Sequence, residues 1–433
     1  MEPRKGKLFF RGIHVPDRKE LARNSAIEVF DAPDVAVISL SQHIGKPAEP
    51  VVEKGDYVEI GQLIGKKSGF VSANVYSSVS GTVTGIEKRR AANGSLGDYV
   101  VIENDRLDKK RFLEPLEDRE PETIKARITE AGIVGMGGAG FPTDVKLSPK
   151  TPVDTLVINA AECEPYLTCD FRLMMEKTEE VVSGIRLIAK ALGVKNIVVG
   201  VEKNKPEVIK LFSSYDDLQV VVLKKAYPMG SEKHLIYCCT GRKVAPGKLP
   251  SDAGCVVQNV ATAYAVYEAV ELNKPLYERV MTVSGDGAVT PKNLLVRTGT
   301  SFFALREYCG AKDNVKMFVC GGPMMGPAML STDILTTKTT SGFLMLTDKE
   351  ADTDDPTPCI NCGACADVCP MKLLPMQIDF YTQAGDYEKA AEIGGVKNCI
   401  SCGCCAYVCP AKRSLVQSIT LCKAKLAEKK GGK

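Results

Sequence analysis

Eight of the chain's 17 cysteines fall in one motif written twice. Cys359-x-x-Cys362-x-x-Cys365-x-x-x-Cys369-Pro370 returns as Cys399-x-x-Cys402-x-x-Cys405-x-x-x-Cys409-Pro410. Three thiolates this close in one loop cap three irons of a cubane. The fourth, one helical turn further on, reaches the other cluster where two such motifs share a domain. That reading assigns Cys359, Cys362, Cys365 and Cys409 to one [4Fe–4S] cluster, and Cys399, Cys402, Cys405 and Cys369 to the second. Pro370 and Pro410 bend the chain away after the last ligand. Zinc sites also use Cys-x-x-Cys pairs, but the complete eight-cysteine repeat favours clusters. Cys404 breaks the spacing and reads as a neighbour of the ligands. The chemistry expected is electron transfer.

Two further strings have chemical potential. Gly135-Met136-Gly137-Gly138-Ala139-Gly140-Phe141-Pro142-Thr143 is glycine-rich, with Lys146 just beyond it. Glycines let backbone N–H groups approach a phosphate, and a nearby lysine adds charge. A tight turn is the bland alternative, but the position of this loop among strand- and helix-forming segments favours phosphate or nucleotide binding. Asn159-Ala160-Ala161-Glu162-Cys163-Glu164-Pro165 follows a buried strand, where a ligand of an α/β sheet would lie. Its carboxylates are either solvated loop acids or acceptors for a ribose or amide. Gly230-Ser231-Glu232 and Gln258-Asn259-Val260-Ala261-Thr262 occupy similar strand-to-helix corners.

Composition sets the frame around these sites. The 433 residues suffice for about three domains. Hydrophobic residues make up 44% and charged residues 25%, as in ordinary globular proteins. Net charge is +3, from 56 basic and 53 acidic residues, which gives no footprint for nucleic acid. The polar start Met1-Glu2-Pro3-Arg4-Lys5 predicts no secretory signal. No run approaches the roughly 18 apolar residues of a membrane span. Cysteine spacing of the metal-binding kind predicts a reducing compartment.

The elements that position the motifs differ along the chain. Residues 30–105 read as all-β, with short runs at Val35–Leu40, Tyr57–Ile60, Val71–Val75, Gly81–Ile86 and Asp98–Ile102 between turn residues. From about 122, helical spacing in Glu122–Ala131, Val181–Leu192 and Val260–Val270 alternates with strands at Leu156–Asn159, Ile197–Val201 and Val220–Leu223. That alternation predicts a parallel sheet covered by helices. A third block has strands at Val280–Val283, Leu294–Val296 and Val315–Val319, a helix at Phe302–Cys309 and a glycine turn at Gly321–Gly326. After the acidic linker Asp348–Asp355, a helical stretch over Leu374–Ile393 is expected to join the two cysteine loops.

Several strings resemble known families. Gly55–Ile64 with Ser78–Val83 is similar to a lipoyl- or biotinyl-type barrel-sandwich. The hairpin tip there, Lys66-Lys67, lacks the acidic-flanked lysine of that family, so a docking domain without a swinging arm is expected. Gly135–Thr143 with Asn159-x-x-Glu162-x-Glu164-Pro165 resembles the flavin-bearing, NADH-oxidising subunit of respiratory complex I. Gly230-x-Glu232 and Asn259-Val260-x-Thr262 match later motifs of the same subunit. Ala261 stands where that subunit has glutamate, and Ser231 replaces an acid. These departures fall on nucleotide contacts more than on flavin contacts.

The whole order of modules resembles the C-subunit family of the Rnf (Rsx) complexes. The strings that carry it are Gly12–Pro16, Ser41–Gly45, Gly69–Val75, Tyr227-Pro228-x-Gly230-Ser231-Glu232-Lys233 and Gly321–Gly326. His14 and His43 belong to these strings and read as structural, because no ligand partner stands at metal spacing.

This resemblance implies a multidomain α/β chain. A barrel-sandwich β domain (1–115) precedes a Rossmann-like FMN/NADH domain (116–275). A β-grasp segment (276–347) and an α-helical two-cluster ferredoxin domain (348–433) follow. It implies FMN, NAD(H) and two [4Fe–4S] clusters as cofactors. Gly135, Gly137, Gly138, Gly140, Phe141, Lys146, Asn159, Glu162, Glu164, Gly230, Glu232 and Asn259 would contact the flavin and nucleotide, with no side chain acting as general acid or base. It implies a peripheral subunit on the cytoplasmic face of the cell membrane. Its partners would be the membrane and iron–sulfur subunits of a complex that moves Na⁺ or H⁺ as electrons pass between ferredoxin and NAD. A soluble flavin and iron–sulfur carrier, such as one feeding proline reductase, is the alternative. Corrinoid reductases place the barrel-sandwich last, which argues against them.

Overall fold

A computed structural model describes residues 2–9, 11–351 and 353–431. Its centre is a five-stranded, wholly parallel sheet in the order Arg4–Lys5, Gln219–Leu223, Asn196–Glu202, Thr155–Ala160, Cys255–Asn259. Alternate strand residues go to opposite faces, as the two-residue period requires. Leu156, Ile158, Val199, Val201 and Val220 enter one core, with helices Thr178–Leu192 and Val260–Glu271 over them. Val157, Val198, Val221 and Val257 enter another, covered by helix Glu232–Thr240. The two asparagines at the carboxyl ends, Asn159 and Asn259, are direct register partners on neighbouring strands. The sheet therefore delivers both to one edge.

The barrel consists of a four-stranded sheet (Val35–Ser39, Leu96–Asn104, Gly81–Arg90, Tyr57–Val58) and a three-stranded one (Glu49–Pro50, Leu63–Lys66, Val75–Tyr76). Ile38, Leu40, Ile64, Val75, Val83, Val100 and Ile102 fill it. The strand expected at Val71–Val75 shrinks to Val75–Tyr76. Backbone groups of 71–74 bond outward instead: Val71 O accepts Lys46 N–H at 3.0 Å, and Ala73 N–H donates to His43 Nε2 at 3.1 Å.

A six-stranded mixed sheet follows in the order Ala328–Met329, Val315–Cys320, Gly342–Thr347, Glu278–Ser284, Lys292–Arg297, Ile27–Val29. Helix Phe302–Cys309 packs on it, with the Phe302 and Phe343 rings edge to face at 4.8 Å. The cluster domain is helical. The helical stretch expected over Leu374–Ile393 consists of two helices, Pro375–Gln383 and Tyr387–Gly394. Gly385 takes a left-handed φ of +77°, and Asp386 caps the second helix by accepting Lys389 N–H at 3.0 Å.

The first thirty residues hydrogen-bond outside the barrel. Arg4–Lys5 is an edge strand of the central sheet and Ile27–Val29 of the mixed sheet. Between them Gly12 N–H donates to Val368 O at 2.9 Å, and the Arg11 guanidinium donates to Ala366 O at 2.8 Å. This strap ties three units together.

The barrel is itself clamped to its neighbours. Lys67 forms an ion pair with Asp144, while Lys66 is exposed. Lys338, from the segment leading into strand Gly342–Thr347, is fully buried, and its ammonium donates to Asn74 O at 2.6 Å and Gly132 O at 2.8 Å. Lys338→Met leaves these carbonyls unpaired at a cost of about 1–3 kcal/mol each. The variant is expected to be cleaved faster than wild type in the connecting segment 105–120 under native limited proteolysis; equal rates would show that other contacts hold the barrel.

Candidate functional site

Each cysteine repeat folds as a loop ending in one helical turn, Ala364–Asp367 or Cys404–Tyr407. Two cavities result. Cys359, Cys362, Cys365 and Cys409 line one; Cys399, Cys402, Cys405 and Cys369 line the other. The fourth cysteine of each repeat thus faces the loop of the other. Four sulfurs around one small cavity, twice over, suit two cubanes. The surroundings differ. Cys359 and Cys362 are exposed, whereas Cys369 and Cys405 are buried. Leu373 N–H and Ser401 N–H each donate, at 3.3 Å, to the sulfurs of Cys369 and Cys399. Cys404 is buried in the wall of the second cavity, in an apolar cluster with Ile13 and Tyr227.

The glycine-rich loop closes on itself through Gly135 N–H to Phe141 O, 2.9 Å. Its tip, Gly137 to Ala139, is exposed, and a Cβ at Gly138 would meet nothing within 4 Å. Gly137 backs onto Asn259 so closely that a Cβ would stand 2.9 Å from that side chain. Met136 N–H donates to Thr262 Oγ1 at 3.0 Å. Behind the loop the buried Arg279 guanidinium donates to Met136 O at 3.3 Å and Lys338 O at 2.8 Å. One buried donor here, Arg279 Nη2, has no hydrogen-bond partner among the described residues. An unsatisfied donor beside an open glycine tip fits an acceptor-rich group such as a phosphate.

From Asn259 a chain of contacts runs inward. Its amide donates to Asp170 Oδ2 at 2.7 Å, and its Oδ1 caps helix Val260–Glu271 by accepting Ala261 N–H at 2.8 Å. Glu162 Oε1 accepts the N–H groups of Asp170, at 2.7 Å, and Phe171 at the start of helix Cys169–Glu176. A carboxylate there complements the helix dipole. Its other oxygen lies 3.5 Å from the Lys19 ammonium. Lys19 also donates to Glu164 O at 3.0 Å and to Leu167 O. Glu162 and Tyr166 hold positive φ angles of +47° and +66°. Such non-glycine residues persist where their surroundings over-determine them, and the Lys19 ammonium does so here.

Glu164 turns away from this chain. Its carboxyl accepts Met324 N–H at 3.1 Å and the Tyr227 hydroxyl at 3.4 Å. Lys146 and Glu232 pair with each other at 2.6 Å. Asn159 donates to Gly230 O at 2.9 Å. The expected residues therefore form three neighbouring sets: the glycine loop with Asn259 and Glu162, Asn159 with Gly230, and Lys146 with Glu232. Glu164 stands toward the cluster domain. Sequence reasoning omits Lys19, Asp170 and Arg279; only their long-range contacts reveal them. A cavity of about 130 Å³ opens past the carboxyl ends of strands Asn196–Glu202 and Gln219–Leu223, between Lys19, Cys163, Glu202, Lys225 and Tyr227, where open parallel sheets hold ligands.

Burial dominates the acids of this region. It pushes the carboxyls of Glu164 and Glu202 up to about 7 and that of Asp170 to about 6.

A parallel sheet with a glycine loop and paired asparagines at its carboxyl edge, wired by packing to two four-cysteine cavities, defines a flavin and iron–sulfur electron-transfer protein. The chain matches the Nuo51 FMN-binding domain over residues 128–268, the RnfC barrel-sandwich hybrid domain over 7–107 and a 4Fe-4S dicluster domain over 358–412. It is 44% identical, over 96% of its length and 97% of the relative's, to the C subunit of the Na⁺-translocating ferredoxin:NAD⁺ oxidoreductase complex of Acetobacterium woodii. The proton-translocating counterpart of Clostridium ljungdahlii is also 44% identical, with 96% and 94% covered. The C subunit of the ion-translocating oxidoreductase complex of Rhodobacter capsulatus is 43% identical, with 98% and 84% covered. The H2-reduced NAD⁺-reducing [NiFe]-hydrogenase shows a partial likeness, at 18% identity and a TM-score of 0.47, over 71% of this chain and 65% of that one. The chain belongs to the C-subunit family of the Rnf ion-translocating oxidoreductase complexes. No helix among the described residues is long and apolar enough to cross a membrane.

Two outcomes follow from this geometry. Cys369→Ala is expected to damage the cluster of the second repeat and Cys409→Ala that of the first, each leaving about half of the roughly 8 irons of two [4Fe–4S] clusters; loss confined to the mutated repeat's own loop, read by EPR, would refute the crossed sets. Carboxyls whose folded pKa lies above the unfolded value hold more protons when folded, so stability falls as pH rises through that window. For Glu164 and Glu202 the window runs from 4.5 to about 7. Between about pH 5 and 7.5 these carboxyls pull the melting temperature down while the buried His43 ring, held down to about 4, acts the other way below its free value; Glu202→Gln is expected to make the slope less negative than in wild type.

Proposed function

We propose that this chain is the NAD(H)- and FMN-binding subunit of a membrane complex that passes electrons between ferredoxin and NAD while other subunits move Na⁺ or H⁺. When bound, FMN supplies two-electron exchange with NAD(H) and one-electron exchange with the clusters. The tip Gly137–Ala139, flanked by Gly135, Gly140 and Phe141, offers backbone donors to its phosphate, with Arg279 behind. Asn159, Glu162, Gly230 and Asn259 shape the wall. Lys146 and Glu232 orient the nucleotide from the rim. Glu164 orients the reacting end of the site.

The observation that carries this reading is the contact chain from the acidic loop to the second cysteine loop. Glu164 accepts Met324 N–H, and Gly403 lies so close to Met324 O that a Cβ would stand 2.4 Å from it. The cavity of Cys399, Cys402, Cys405 and Cys369 is therefore the inner one, next to the flavin site. The cavity of Cys359 and Cys362, exposed at the surface, is the outer one, from which electrons leave to a partner protein.

The domain division proposed is 1–115 barrel-sandwich, 116–275 Rossmann-like FMN/NADH domain, 276–347 β-grasp and 348–433 cluster domain, with residues 4–29 as the strap. The peripheral position proposed is the cytoplasmic face of the membrane, where NAD(H) and ferredoxin are met.

Anaerobic NADH titration should bleach a bound flavin reversibly. Glu164→Ala is expected to retain flavin and both clusters while kcat/KM for NADH falls about tenfold or more, equivalent to ~1.4 kcal/mol. Unchanged flavin content together with unchanged NADH kinetics would remove Glu164 from the site.

A further inference from the structure

The two cysteine cavities are built by one repeat, so equivalent positions can be compared within the molecule. Shifted by 40 residues, Cys359 falls on Cys399, Cys369 on Cys409 and Leu373 on Arg413. Leu373 lines the inner cavity and Arg413 the outer one. The same place in the same scaffold holds a leucine at one cavity and an arginine at the other. Among the described residues, no other basic or acidic side chain lines either cavity, though the Lys423 ammonium donates to Cys399 O at 2.7 Å beside the inner one.

The guanidinium is held in place from behind. Arg413 Nε and Nη2 donate to Asp379 Oδ2 at 3.0 and 2.7 Å. Asp379 is buried, and its Oδ1 accepts the Ser418 hydroxyl at 2.6 Å. Gln383 Nε2 donates to Ser418 Oγ at 3.3 Å. Asp379 does not line the cavity. Of the pair, Arg413 belongs to the cavity wall and Asp379 stands behind it.

We propose that Arg413 raises the reduction potential of the cluster held by Cys359, Cys362, Cys365 and Cys409, which favours its receiving an electron that enters at the inner cluster. The inference rests on the reading that these cavities hold [4Fe–4S] clusters. The physical ground is charge. Reduction adds one electron to the cluster, and a cation at the cavity wall stabilises the more negative state. In the step favoured, the inner cluster is oxidised by one electron and the outer cluster reduced by one. No bond forms or breaks, and no proton moves. The greater exposure of Cys359 and Cys362 acts in the same direction, since solvent also stabilises added charge. The N–H bonds to Cys369 and Cys399 act on the inner cluster and are left untouched by substitutions at 413.

The test is EPR-monitored potentiometry on the full chain under anaerobic conditions. Arg413→Leu makes the two positions alike. It is expected to lower the midpoint of one couple by on the order of tenfold in electron affinity, ~59 mV for a one-electron couple, and to leave the other in place. The couple that moves is the one abolished in Cys362→Ala. Arg413→Lys, which keeps the charge, is expected to stay near wild type. Asp379→Asn with Arg413→Leu avoids an unpaired buried carboxylate and is expected to keep the downward shift. The proposal fails if neither midpoint moves with both clusters present, if both move equally, or if the double variant returns to the wild-type value. A wild-type protein without about 8 irons per chain would instead sink the cluster reading on which the proposal stands.

Discussion

The flavin domain and the cluster domain meet around one buried carboxyl, beside direct contacts of His234 with Pro370 O at 3.3 Å and of Tyr227 with Cys404. Glu164 accepts a backbone N–H from Met324, and its own backbone carbonyl accepts the Lys19 ammonium. A Cβ on Gly322 would stand 2.3 Å from Glu164 Oε2, and one on Gly403 2.4 Å from Met324 O. Neither position has room for a methyl group. Three segments distant in sequence therefore pack at backbone contact, in one geometry. Electron tunnelling weakens steeply with separation, so this packing, with the Tyr227–Cys404 contact beside it, keeps the two halves of the chain close. The mixed sheet, which carries neither glycine loop nor ligand cysteine, has its place because its turn Gly321–Gly326 is the spacer.

That junction is surrounded by buried charge. Glu162, Glu164, Asp170 and Glu202 lie among Lys19, Lys205 and Arg279. Isolated buried ions are costly, and pairing offsets the cost only when geometry and hydrogen bonds are good. Lys205 donates to Ala161 O and lies 3.6 Å from Glu202; Lys19 closes the acidic loop from the other side. Lys19 lies on the N-terminal strap, outside the segment 128–268 that matches an FMN-binding domain. The strap thus completes a site that the domain alone leaves half-neutralised. It also ties the cluster domain down through Arg11 and Gly12.

Much of this was legible in the sequence, for reasons that differ by element. The helices around Val181–Leu192 and Val260–Val270 have clear periods, and three central strands, Thr155–Ala160, Asn196–Glu202 and Gln219–Leu223, stand out as apolar runs; the neighbouring strand Cys255–Asn259 does not. Helix Phe302–Cys309 is marked by its cap, where Ser301 Oγ accepts Ala304 N–H at 3.2 Å. The crossed lining of the cysteine cavities follows the motif spacing. Strand Gly342–Thr347 was not legible. It lies inside the mixed sheet with every residue buried, so its sequence has no alternation to read. The strap strands were not legible either, being two and three residues long with partners more than 200 residues away. The roles of Glu162 and Glu164 divide for the same reason. Their spacing leaves solvated loop acids and ligand acceptors both open, but the left-handed turn at Glu162 sends one carboxylate to a helix N-terminus and the other to the cluster junction.

The barrel shows how a fold keeps its shape while losing the motion associated with it. A swinging-arm carrier needs a free lysine at an exposed hairpin tip. Here one lysine of the pair is held by Asp144 on the flavin domain. Ile44 N–H, on the neighbouring loop, donates to Gly140 O at 3.2 Å, so the barrel touches the glycine loop directly. Gly140 has a φ of +71°, and a Cβ there would meet the His43 backbone at 3.2 Å and Thr339 at 2.7 Å. Burial drives the His43 ring down to about 4, which keeps it neutral and an acceptor for Ala73 N–H. An ionised ring in that place would lose this bond and bring a charge against the glycine loop. The barrel is therefore packed directly against the glycine loop. Transfer between the two halves of the chain needs no tethered arm, because the packing at Met324 already holds them in contact.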